Sequence, residues 1–65
     1  MDYFTINSEK AIKNGAFIEL FDIASNEVVN YSYEKGKLYD IQKLKSGTYF
    51  LRIEGINKNI VLLKN

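Results

Sequence analysis

The sequence predicts an all-β fold, a small antiparallel β-sandwich of six to seven short strands. Two observations carry this. Apolar residues recur with a period of two rather than 3.6, as in "SGTYFLRIEG", where Tyr49, Leu51 and Ile53 alternate with Thr48, Phe50, Arg52 and Glu54. Turn-forming residues then punctuate the chain roughly every ten residues, the rhythm of short strands joined by tight connections. A third fact permits the reading without requiring it. The chain has no Pro, so no strand is confined to an edge on that ground.

The elements follow in order. Residues 2–7 alternate Phe4 and Ile6 with Tyr3 and Thr5 and end at the turn-prone pair Asn7-Ser8. "SEKAIKNG" is the one segment compatible with a helical turn, and Asn14-Gly15 closes it. In "AFIELFDI", residues 16–23, apolar side chains fall on both faces, which suggests a central strand. "ASNE" is a turn in which Asn26 is the expected residue of positive φ. "VVNYSY" follows and pairs back as a hairpin. After Gly36, "LYDI" reads as a short edge strand, and "QKLKSG" as a compact turn ending at Gly47. Residues 48–54 and 59–64 form a second hairpin about Gly55-Ile56-Asn57. The expected core is Phe4, Ile6, Ile18, Leu20, Val29, Leu44, Tyr49, Leu51, Ile53, Val61 and Leu63.

A chain of 65 residues is expected to form one domain, residues 1–65, near the lower limit for a core without staples. It has neither Cys nor His, so disulfides, thiolate chemistry and the usual zinc sets are unavailable, and no cofactor is expected. No apolar run approaches the roughly 20 residues of a membrane helix, so no membrane insertion is expected. "MDYFTINSEK" lacks the basic and apolar regions of an N-terminal signal. Residues 1–40 carry four lysines against seven acids, and residues 41–65 carry five basic residues against one acid. Interleaved strands would blend these halves into a mixed surface.

Enzyme chemistry fares badly, and none is expected. The usual base and thiol nucleophile are missing, and the serines have no imidazole to activate them. Asp22 and Asp40, near strand ends, are expected to cap turns. "DIASNE" offers Asp22, Asn26 and Glu27 as calcium ligands but lacks the dense acidic alternation of a dedicated loop. Tyr49 belongs to an apolar face, leaving only Phe50 and Arg52 outward on that strand, so no nucleic-acid partner is expected. Tyr31, Tyr33 and Tyr39 could form an exposed platform for sugars, which makes an adhesion or carbohydrate-binding module the alternative reading. Cross-strand aromatic pairing is the simpler account of them. Self-association through open sheet edges is a further expectation for so short a chain.

The order of features is informative as a whole. "IELFDIASNEVV", "LYDIQKLKSGTYFLRIEG" and the closing "KNIVLLKN" resemble the type A C-terminal sorting domain of the Bacteroidetes type IX secretion system, over residues 16–65. Its block of D-[IV]-x-x-L-x-x-G-x-Y-x-[LV]-x-[IV] is met by Asp40, Ile41, Leu44, Gly47, Tyr49, Leu51 and Ile53. The Y-P-N-P opening common in that family is absent, and Ser25-Asn26-Glu27 stands where a Gly before a basic residue is usual. The resemblance implies an Ig-like sandwich and a non-catalytic signal read by outer-membrane secretion-machinery proteins. It also implies export through the periplasm to the cell surface or medium. The partner contacts it implies are Gly47, Phe50, Arg52, Lys58, Lys64 and Asn65, reached through a sheet edge or the tail.

Overall fold

The computed structural model describes residues 2–8 and 10–65, and among them there are six strands and no helix. They are β1 (Tyr3–Phe4), β2 (Phe17–Phe21), β3 (Glu27–Ser32), β4 (Tyr39–Asp40), β5 (Gly47–Ile53) and β6 (Asn59–Lys64). All pairings are antiparallel. One layer is a four-stranded sheet in the order β3-β2-β5-β6, and the other is the two-stranded pair β1-β4. Both expected hairpins form, β2–β3 and β5–β6. Between them the chain leaves the large sheet, crosses to the small one as β4 and returns as β5 beside β2. Among the described residues no helix is long and apolar enough to cross a membrane.

The alternation of β2 and β5 sets the core. Ile18 and Leu20 face Ile53 and Leu51 across the ladder, and all four are buried, with Tyr49 beside them. Phe4, Tyr39 and Ile41 close the core from the small sheet. Phe4 stacks on Tyr39 at 5.1 Å, and Tyr31 meets both rings edge-on at 5.7 and 5.3 Å. This three-ring cluster binds the two layers through geometry worth about 0.5–1.5 kcal/mol per pair beyond area burial.

Four expectations are corrected. Val61 and Leu63, expected in the core, are each 59% exposed. The inward residues of β6 are Ile60, Leu62 and Lys64, because a period of two gives a strand with apolar residues on both faces two readings, and the register with β5 selects this one. Tyr39, expected as part of an exposed platform, is 1% exposed. Its hydroxyl accepts from the Glu34 N–H at 3.0 Å, and it donates to the Glu34 carbonyl. Tyr31 and Tyr33 are half-buried against the same core, so the three rings do not form one exposed platform. In the β2–β3 turn it is Ser25, not Asn26, that takes positive φ, at 68°. The helical turn expected over 8–15 falls partly on Glu9, outside the described residues, and residues 10–15 are irregular with a turn at Asn14-Gly15.

Candidate functional site

The residues that carry the family-like pattern form one hydrogen-bonded unit. The Asp40 carboxylate accepts from the Gln42 N–H at 2.9 Å, and the Leu44 N–H bonds the Ile41 carbonyl at 3.1 Å. Leu44 packs half-buried on the core. Gly47 starts β5 at φ 155°, a conformation that side chains rarely adopt. The Tyr49 hydroxyl then reaches back and donates to the Lys45 carbonyl at 2.6 Å. The spacing from Asp40 to Tyr49 thus corresponds to a turn capped at its start, plugged in its middle and tied at its end. Tyr31 anchors the same unit by donating to the Asp40 carbonyl at 2.8 Å.

Lys64 seals this turn from the opposite strand. Its side chain points inward beside Leu62, and its ammonium donates to the carbonyls of Ile41, Gln42 and Leu44 at 2.6, 3.0 and 2.5 Å. With the residue only 9% exposed, these three acceptors replace the water that a buried ammonium would otherwise lose. Lys64, one of the expected partner contacts, is thus placed in this turn, inward with the other even-numbered side chains of β6. The stapled turn could not be read from sequence, because a lysine close to a strand end is ordinarily a surface residue. The one available signal was its even spacing with Ile60 and Leu62.

The remaining contact candidates are dispersed along the β5–β6 hairpin, Phe50 and Arg52 on its outer face and the others at its ends. Phe50 is half-buried and stands opposite Phe21 on one side and Val61 on the other. Arg52 is exposed, pairs with Glu19 and Asn59 in register, and lies over the Phe21 ring at 5.1 Å. Thr48 and Leu63 form the next pair along the strands. Lys58 precedes β6, Gly47 opens β5, and Asn65 follows Lys64, all three exposed. Val61 and Leu63, assigned to the core from sequence, instead belong to this outer surface.

The other half of the outer face carries two carboxyls beside the exposed Phe17. Glu19 and Glu27 lie on β2 and β3, and a proton-sharing hydrogen bond with Glu27 raises the Glu19 carboxyl above the ordinary glutamate range, against the opposing effect of Arg52. Asp22 accepts from the Ala24 and Asn26 N–H groups at 2.9 Å each, so the "DIASNE" turn uses its carboxylate as a cap. Among the described residues no group of three acidic side chains is placed to hold a metal ion.

The family model described as "Secretion system C-terminal sorting domain" matches residues 1–64. The chain belongs to this sorting-domain family. No curated protein and no solved structure matches it. The sorting domain's match extends across β1 and the segment after it, beyond the 16–65 over which the motifs alone showed resemblance. Membership makes this a signal domain that directs export toward the cell surface or extracellular space, in interaction with secretion machinery.

Proposed function

We propose that residues 1–65 act as a single non-catalytic sorting domain, recognised in the folded state by proteins of an outer-membrane type IX secretion machinery during passage through the periplasm. The observation that supports this reading most is the stapled turn. The family signature around Asp40–Tyr49 and the C-terminal strand are joined through Lys64, so the two parts of the signal are displayed together only when the domain is folded. The β5–β6 hairpin, with Phe50 and Arg52 on its outer face and Gly47, Lys58 and Asn65 at its ends, is the surface offered to that machinery. Its exposed Val61 and Leu63 fit such a role, since a solvent-facing sheet surface is normally polar.

The test is a reporter fused ahead of residues 1–65 in a bacterium that carries this machinery. The fusion is expected to reach the medium or cell surface. A Phe50→Thr/Arg52→Thr variant that keeps its melting temperature is expected to leave the reporter inside. Export of the variant at the wild-type level would remove the outer face from the reading, and failure of the unmodified fusion would remove the reading itself.

A further inference from the structure

β6 is an edge strand with no protection. Its six residues pair only with β5 in an unbroken register, and no backbone hydrogen bond from another segment reaches it among the described residues. Edges in native proteins are blunted by Pro, bulges or outward-pointing charge. Along β6 the outward residues are Asn59, Val61 and Leu63, and the nearest strand lysine, Lys64, has turned its charge inward. An edge left this bare is suited to receiving another strand.

Beside the start of β6 lies a groove of about 550 Å³ between the segment 6–12 and the β5–β6 turn. Its floor is aliphatic, from Ile6, Ile12, Ile53, Ile56 and Ile60. Lys10 and Lys58 stand among its lining residues with Asn7, Ser8 and Asn57, and no described lining residue is acidic. Neither lysine forms an ion pair with a described residue, whereas Lys37 pairs with Glu34 at 3.3 Å.

We infer that the β6 edge and this groove together form a strand-addition site for an extended partner segment that carries an apolar side chain flanked by carboxylates. Main-chain hydrogen bonds to Asn59–Lys64 would supply affinity, and the groove with its two lysines would supply choice of sequence. Charge favours such a partner over a second copy of this chain. Residues 55–65 contain Lys58 and Lys64 and no acidic side chain, so pairing β6 with itself brings no side-chain carboxylate to Lys58. The inference rests on the sorting reading only for the identity of the partner as a component of the export machinery.

The probe is a fluorescein-labelled octapeptide alternating Val or Ile with Thr and carrying two Asp, compared with a twin carrying Asn instead. Anisotropy titrations at low salt are expected to show the Asp peptide binding at least tenfold more tightly. Lys10→Gln/Lys58→Gln should abolish the difference between the two. Val61→Glu/Leu63→Glu should weaken binding of the Asp peptide at least tenfold, and in the unmodified protein amide shifts should fall on residues 59–63 and 56. Equal binding of the two peptides, or shifts on residues 27–32, would overturn the site. Concentration-dependent dimers with protected β6 amides in the peptide-free protein would assign the edge to a second copy and overturn it likewise. In the fusion assay, wild-type export of Lys10→Gln/Lys58→Gln would separate the site from export while leaving the sorting reading intact.

Discussion

The two edges of the four-stranded sheet are built on opposite plans. β3 is irregular: its register with β2 slips between Leu20 and Phe21, leaving Val28 as an extra residue, and Glu27, Asn30 and Ser32 are exposed along it. β6 is regular, apolar on its outer side and tied at its end by a buried lysine. Bulges and charge are how a sheet edge is closed to other chains. One edge is thus guarded and the other is held in shape but left open. The difference teaches that the C-terminal strand has two separable tasks: an inward one that completes the fold, and an outward one that is available for recognition.

The largest expected effect comes from breaking the inward task. Lys64→Ala removes the donor to three carbonyls and is expected to cost about 2–4 kcal/mol, measured by chemical denaturation. That is a large share of the stability of a domain this small. Lys58→Ala, six residues earlier and exposed, is expected to stay within about 0.5 kcal/mol. Equal losses for the two lysines would erase the distinction. Gly47→Ala comes next, at about 1–2 kcal/mol, because the strand entry holds a backbone conformation unfavourable to a side chain.

Smaller effects sharpen the guarded side. Burial, and then the Asp40 charge, raise the Tyr31 hydroxyl above the ordinary tyrosine range. Its stabilising contribution is full below the unfolded value of about 10 and is lost as pH rises through the folded one. Melting temperatures from pH 8 to 11 should therefore fall more steeply for the wild type than for Tyr31→Phe. The smallest effect is at the Glu19–Glu27 pair. Because the folded Glu19 carboxyl is raised, its contribution is present at acid pH and lost as pH rises through that value. Glu19→Gln should give a slight gain in melting temperature at neutral pH that disappears at acid pH.

These contrasts also explain what was legible in the sequence. All six strands, both hairpins and the roles of Asp22 and Asp40 as turn caps follow from local alternation and turn chemistry, and the structure has them. Local signals could not orient β6. "NIVLLK" is apolar at four consecutive positions, so only pairing with β5 shows that Ile60 and Leu62 face in while Val61 and Leu63 face out. The same limit concealed Lys64 and Tyr39. Each is buried by a partner distant in sequence, the 41–44 turn for one and Phe4 for the other. A polar or amphipathic side chain gives no local sign that such a partner exists.

The central claim is that the open edge, and not the guarded one, carries recognition. Its most direct test compares export of the same reporter fused to Val61→Glu/Leu63→Glu and to Val28→Glu/Asn30→Glu, each normalised to the folded fraction. All four positions are exposed, so both variants should fold. The account predicts that the β6 variant loses export and the β3 variant keeps it. Export of the β6 variant at the wild-type level, or equal loss in both, would contradict it.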